Sequence, residues 1–307
     1  MFLKYLDGKY SKTLYNELFA EYKISNSDLA KLQKVLLEML VDFRNACEIC
    51  NVEFMLAGGT ALGAVRHNGF IPWDDDVDVM MTRENYEKFS REAMKHLKSK
   101  YILAEPLDKD YFLKFPKLFL KDSKLVEIPL AGTPGHHMIF IDIFIIENVS
   151  DNAFLRNLKG LFYTFAHGAS TCCIDYRYPS PFILEKSKLS VELNKYYSAR
   201  RKIGHFFSLL GGFDYYAKLT VKIASSSKEG KYKGIPSGVS YTREVLDKNK
   251  YSEIVWLDFE NEKFPVILDY HSYLSNLYGE NYMTIPPENE REEHLAAQLV
   301  FPKICEE

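Results

Sequence analysis

The chain is short of cysteine, of long apolar runs and of charge imbalance, and each shortage excludes something. Its five cysteines (Cys47, Cys50, Cys172, Cys173 and Cys305) are an odd number in 307 residues. They are poor material for a disulfide scaffold, and they fit a reducing cytoplasm. Cys47 and Cys50 have redox or zinc spacing, but no second metal-type pair accompanies them, since the vicinal Cys172-Cys173 is a different pattern, so buried thiols are expected. No stretch approaches the roughly 18 uninterrupted apolar residues of a membrane span. Residues 1–12 lack the apolar core of a signal peptide, so no export is expected. With 39 Lys and Arg against 42 Asp and Glu, the net charge is −3. That removes the cationic excess on which nucleic-acid affinity depends, so no nucleic-acid partner is expected. There is no serine nucleophile elbow and no Walker lysine after a glycine loop. His136 and His137 lack the spaced partners of a zinc site.

What the chain does have is a globular balance, 47% hydrophobic and 26% charged, with 21 Tyr and 21 Phe. Residues 1–24 form a weakly periodic N-terminal extension. A helix begins after Ser25, with Ser25 and Asp28 as a capping box and Leu29, Leu32, Leu36, Leu40 and Phe43 as one apolar stripe, and it ends near Asn51. Residues 52–57 read as a buried strand, broken by Gly58 and Gly59, and 60–67 as a short helix closed by the Asn68-Gly69 turn. Residues 76–81 read as a second strand, with Thr82 capping a helix to about Lys98. Residues 101–105, 111–121 and 138–146 look extended. Beyond 151 the pattern is mostly helical, with a loop at 225–230, an extended pair within 255–266 and a helix over 269–278 before Pro286 and Pro287 stop the chain. The fold class is therefore α/β (α+β). A sheet core with flanking helices, whose strand directions the pattern does not give, spans 25–150, and a mostly helical region, 151–307, completes the fold.

The most informative segment is GGTALGAVRHNGFIPWDDDVDV, residues 58–79. If 76–79 is extended, Asp76 and Asp78 share one face while Val77 and Val79 face the core. Asp74 joins the acidic face if the extension starts earlier. Carboxylates about 4 Å apart repel by ~4 kcal/mol per pair at an effective dielectric near 20. Burial raises that cost unless a proton or cation intervenes. An all-oxygen set suits Mg²⁺ or Mn²⁺. A solvated acidic loop is the simpler reading, but the apolar frame of Phe70, Ile71, Trp73, Val77 and Val79 argues against it. Asp142, between Ile141 and Ile143, needs a partner: either a Lys or Arg from elsewhere or the same metal centre, and the metal centre is the expectation.

Gly58 and Gly59 stand where a strand meets a helix, so backbone N–H groups there, with Thr60, can face a phosphate. Arg66 can fork onto a phosphate. His67 is placed to join the site or to cap the helix. Lys117 is either a phosphate contact or a snorkelling surface lysine. Lys195, Arg200, Arg201 and Lys202 precede an aromatic run. Such a segment can lie on an anionic membrane surface or form a packed helix with a basic end.

Residues 58–79 closely resemble the LicD family of phosphotransferases, relatives of the fukutin-type ribitol-phosphate transferases. The likeness continues at Phe115-Pro116-Lys117-Leu118, at Ile141-Asp142-Ile143 and, more loosely, at Lys263-Phe264-Pro265-Val266, Leu277-Tyr278-Gly279 and Ile285-Pro286-Pro287. Near the end Arg291 is present, but only His294 follows where the family often has a His pair. The resemblance implies a nucleotidyltransferase-like fold built on a mixed sheet core, with Gly58 and Gly59 at the strand end and Asp76, Asp78 and Asp142 as catalytic acids. It makes Asp74 an additional metal ligand beside those three. It also implies a CDP-linked alcohol donor, phosphocholine or a related alcohol phosphate as the group moved, and a glycan or lipid-linked glycan acceptor such as teichoic acid or lipopolysaccharide. A cytoplasmic enzyme at the inner face of the membrane would fit such an acceptor. A nucleotidyltransferase releasing pyrophosphate, a metal-dependent glycosyltransferase and a non-catalytic binding module are the competing readings.

Overall fold

The structure, a computed structural model, describes residues 3–6, 12–225, 227–291 and 295–302. Cys305, His294 and much of the segment 1–12 lie outside the described residues. Two short helices, α1 (Leu3–Leu6) and α2 (Lys12–Leu18), precede the long α3 (Asn26–Ile49). Ser25 starts α3 as its sequence demands. Its hydroxyl accepts the Asp28 N–H at 3.1 Å and donates to the Asp28 carboxylate at 2.8 Å. The stripe of Leu32, Leu36, Leu40 and Phe43 is buried.

Then come β1 (Met55–Leu56), α4 (Gly58–His67) and β2 (Asp78–Thr82). Thr82 caps α5 (Arg83–Lys88), which runs through a π-type turn at Phe89–Ala93 into α6 (Met94–Leu97). Four strands follow: β3 (Tyr101–Ala104), β4 (Lys117–Leu120), β5 (Lys124–Glu127) and β6 (Phe140–Asn148). The helices α7 (Ala153–Arg177), α8 (Pro181–Ser187), α9 (Val191–Leu209) and α10 (Gly212–Ala224) come next. The chain closes with β7 (Tyr232–Gly234), β8 (Leu246–Asp247), β9 (Ile254–Phe259), β10 (Glu262–Ile267), α11 (Tyr270–Tyr278) and β11 (Ala296–Val300).

The main sheet runs β1-β2-β6-β4-β3, with β7 added to β6 and β8 to β7. β2 and β6 are parallel and the other pairs antiparallel, so the sheet is mixed. β6 is central and buried along most of its length, which is why its sequence is nearly continuously apolar. One apolar core joins Leu36, Val79 and Ile141 to Ile235, Phe264 and Tyr273, so late segments of the chain help build it. α7, α9 and α10 gather around Ala169, Cys172, Cys173 and Phe207. Cys47, Cys172 and Cys173 are buried free thiols, as expected of core cysteines.

The structure refines three of these readings. The extended stretch at 111–121 is a strand only from Lys117, because Pro116 has no N–H to give a ladder; its carbonyl instead accepts the Ile143 N–H at 3.0 Å. The chain does not stop at Pro286-Pro287: β11 returns to pair with β5. Arg200 is no surface contact. It is 6% exposed, and its Nε donates to Asp175 at 2.6 Å, with further bonds to Tyr5 O and Thr171.

Candidate active site

Adjacent strands set three of the expected residues in a row. Asp78 pairs with Asp142 across the parallel β2–β6 ladder, and Lys117 pairs with Asp142 across β4–β6. Partners in a ladder share a face, so these side chains leave the sheet on the same side. Backbone bonds fix the row. Asp142 N–H donates to Val77 O at 2.9 Å, and Asp78 N–H donates to Thr60 Oγ1 at 2.8 Å. The two acids, distant in sequence, are thus neighbours in the fold.

α4 abuts this row at its N-terminus. Gly58 has φ +49°, and a Cβ there would lie 2.4 Å from Asp78 Oδ2; a Cβ on Gly59 would lie 3.0 Å from Asp74 Oδ2. The glycine pair therefore serves two purposes: it permits the left-handed turn, and it leaves room for two carboxylates against a helix N-terminus. The segment between Ile71 and Val77 is a loop rather than strand. Gln33 anchors it by donating to Asp74 O at 2.9 Å. Its consecutive acids Asp74, Asp75 and Asp76 each offer an oxygen, all within 4.8 Å of one another, so this triad can hold a cation.

A cleft of about 750 Å³ opens over these groups. Gly58, Gly59, Arg66, Asp74, Asp76 and Asp78 line it, together with Lys114, Phe115, Phe144, Glu244, Tyr278 and Arg291. Arg291 lies over the Trp73 ring, 4.2 Å from its centroid. Arg66 donates to the carbonyls of Tyr282 at 2.8 Å and Thr284 at 3.3 Å. Behind the cleft is a smaller cavity of about 200 Å³, lined by Lys117, Glu127 and Asp142 and sharing Asp76 and Phe115 with the cleft.

The remaining expected residues divide. Lys117 neither reaches a phosphate in the cleft nor snorkels outward. It is 2% exposed, with Nζ 3.3 Å from both Asp142 Oδ1 and Glu127 Oε2. Burial pulls its pKa down, but Asp142 and Glu127 outweigh that and hold it above the usual lysine value. Asp142 thus has the cationic partner that was set aside in favour of a metal. Burial raises its pKa to about 7, Lys117 opposes, and Asp76 and Glu127 add to the rise. Asp78 and Asp142 lie outside the close triad, so the expected set of Asp74, Asp76, Asp78 and Asp142 is not one compact group; Asp75, not anticipated, stands in it. Thr60 is 2% exposed and holds the β2 backbone rather than lining the cleft. His67 packs edge-on to Trp73, also off the cleft, and burial followed by Arg66 lowers its pKa.

Sequence reasoning passed over a second network. Gly58 N–H donates to Tyr273 Oη at 3.1 Å, and Tyr273 donates in turn to Glu244 Oε1 at 3.1 Å. Burial raises the Glu244 carboxyl to about 7. Neither residue sits in a motif, so nothing local marked them. Tyr278, by contrast, lay in a segment already matched to the family.

Residues 51–157 match the family model described as LicD/FKTN/FKRP, nucleotidyltransferase domain. Over 276 residues the chain is 28% identical to the lipopolysaccharide cholinephosphotransferase LicD of Haemophilus influenzae, covering 87% of this chain and 95% of that protein. Uncharacterized proteins of Rickettsia prowazekii (36% over 73 residues, 24% of this chain and 26% of that one) and Rickettsia typhi (33% over 79 residues, 26% and 24%) match shorter parts. The matched domain contains the glycine pair, the acidic loop, Asp78, Lys117 and Asp142. Through that domain, and through the likeness that extends over most of its length, the chain is similar to the LicD-type phosphotransferases.

Proposed function

We propose that this chain moves phosphocholine, or a related alcohol phosphate, from a CDP-linked donor to a sugar hydroxyl of a surface glycan, with release of CMP. One observation carries the reading: the carboxylate of Asp78 overlaps the space that a side chain on Gly58 would fill, and that of Asp74 stands tight against the corresponding space at Gly59. A helix N-terminus, which favours anions, and a set of acids, which favours cations, are thereby pressed together in one cleft wall. A diphosphate with a divalent cation satisfies both. The relative from Haemophilus influenzae, named for cholinephosphate transfer to lipopolysaccharide, supports the choice of group and acceptor.

Every donor offered by Asp74, Asp75, Asp76 and Asp78 is a carboxylate oxygen, the set that suits Mg²⁺ or Mn²⁺. Such an ion, when held there, neutralises charge on the donor's phosphates and leaving group. The chain's own groups do the rest. Tyr273 Oη takes the Gly58 amide, so the first-turn phosphate contact falls to Gly59. Arg66 is fixed by two carbonyls at the cleft wall and sets a positive charge beside the donor. Asp142 lines the adjoining cavity that shares Asp76 with the cleft, and with its carboxyl raised to about 7 by burial it can take the proton of an acceptor hydroxyl that reaches that cavity. Lys117 orients that carboxyl.

No helix among the described residues is long and apolar enough to cross a membrane. A lipid-linked acceptor would bring the enzyme to the inner face of the membrane, where the exposed Lys195 and Lys202 can meet anionic headgroups. The test of function is mass spectrometry of products from CDP-choline, CDP-ethanolamine and CDP-glycerol with candidate glycans and Mg²⁺. Phosphoalcohol on the glycan with CMP in solution is expected. Nucleotide on the acceptor with pyrophosphate in solution would overturn the proposal.

A further inference from the structure

A choline headgroup needs aromatic faces and a nearby negative charge, and the cleft wall offers both away from the acidic loop. Phe115 and Phe144 are half-buried, their ring centroids 4.8 Å apart and their planes tilted by 46°, and both line the cleft. Glu244 lines the same cleft and is 4% exposed. Its Oε1 accepts from Tyr273, whereas its Oε2 is buried and meets no donor in hydrogen-bond geometry; the backbone of Val239 lies near without completing one. A buried carboxylate oxygen left this way is costly unless a ligand answers it.

The cations of the cleft are committed elsewhere. Arg66 is tied to the carbonyls of Tyr282 and Thr284, and Arg291 lies over Trp73. Lys114, beside Phe115 in the chain, acts on Glu244 through its charge but donates to Gly238 O at 2.9 Å. Burial lowers its pKa to about 8, which weakens its hold on the proton. A quaternary ammonium has no N–H to give. It therefore suits a carboxylate oxygen and two ring faces better than it suits an open hydrogen-bonding site.

We infer that Phe115, Phe144 and Glu244 form the subsite for the cationic headgroup of the transferred group, and so select choline over neutral alcohols. The inference rests on the phosphoalcohol-transfer reading and assigns its specificity. Glu244 and the two phenylalanines are specificity-determining residues that need take no part in the chemical step.

Two separate measurements test it. Equilibrium dialysis of CDP-choline and CDP-glycerol, with Mg²⁺ and no acceptor, reads the subsite alone; CMP release with a glycan acceptor reads transfer. Glu244→Gln keeps an acceptor for Tyr273 but removes the charge, and Phe144→Leu keeps an apolar filler but removes a ring. Each is expected to weaken CDP-choline binding by roughly tenfold, the scale of a partly desolvated cation–π or ion contact, and to leave CDP-glycerol within about twofold. Equal weakening for both donors, or none for either, overturns the subsite even where CMP release proceeds. Selective loss of CDP-choline binding in both variants upholds the subsite even where the wild-type enzyme releases no CMP, and in that case it is the transfer reading that fails. Circular dichroism and urea midpoints confirm that both variants fold. Phe115→Leu supplies an independent ring deletion if Phe144→Leu does not fold, with the same two outcomes.

Discussion

Replacing Lys117 by Met isolates the ion pair at the centre of the sheet. Lys117 is almost wholly buried between Asp142 and Glu127, 3.3 Å from each. Removing one member of a buried pair leaves an uncompensated charge, at a cost of about 3–5 kcal/mol. The cost depends on pH, and its sign follows from Asp142. The folded carboxyl, at about 7, lies above its ordinary 3.8. A raised pKa favours the protonated folded form. That contribution is fully present below pH 3.8 and is lost as pH rises through about 7. Roughly three pKa units correspond to about 4 kcal/mol across the window. Without the ammonium, the force that opposed this rise is gone, so the pKa climbs and the loss extends to higher pH. Urea unfolding in chelator, at about pH 5 within the window and about pH 8.5 above it, measures how the loss grows. Lys117→Met should be mildly destabilised at the lower pH and lose about 3–5 kcal/mol at the higher, with Asp142→Asn in the same chain restoring most of the loss. Equal destabilisation at both pH values, or no recovery in the double variant, refutes the reasoning.

Asp76→Asn and Asp78→Asn should each abolish transfer while the urea midpoint stays near wild type, and EDTA should stop wild-type turnover; full activity in both variants or turnover in EDTA removes the acids from the chemistry. Gly58→Ala places a methyl 2.4 Å from Asp78 Oδ2 and strains a left-handed residue, so stability should fall by about 1–2 kcal/mol and transfer should fall further; an unchanged rate would show that the carboxylate's position does not matter. Glu244 also has a raised pKa, about 7 against an ordinary 4.5, so its contribution is present below 4.5 and lost through about 7. Glu244→Gln should accordingly gain up to about 3 kcal/mol on wild type at pH 8.5 and nothing at pH 4 by thermal or urea unfolding, and a gain independent of pH would contradict the shift.

Features decided by neighbouring residues were legible in the sequence. The Ser25–Asp28 cap, the apolar stripe of α3, the break at Gly58 and the β9–β10 pair follow from residues a few positions apart. So was the candidacy of Asp142, because an acid in an apolar strand must find a partner; it finds Lys117, with Asp78 across the ladder on its other side. What escaped was set by distant partners. The alternation argument required strand from residue 76, but β2 begins at Asp78, so Asp75 joins the acids through a loop rather than a pleat. Lys117 is the Cα partner of Asp142 only because β4 lies beside β6. Glu244 joins the cleft through Tyr273, and β11 crosses back to β5. No periodicity in a single sequence carries such pairings.

The contact between Gly58 and Tyr273 spans 215 residues, and that between Arg66 and Tyr282 spans 216. During synthesis, the glycine turn leaves the ribosome long before the groups that brace it exist. At about 5–20 residues per second, that wait lasts tens of seconds. Throughout it, a nascent chain holds an acidic loop without its far wall, so the cleft stays unbraced until the residues around Tyr273 and Tyr282 have been made.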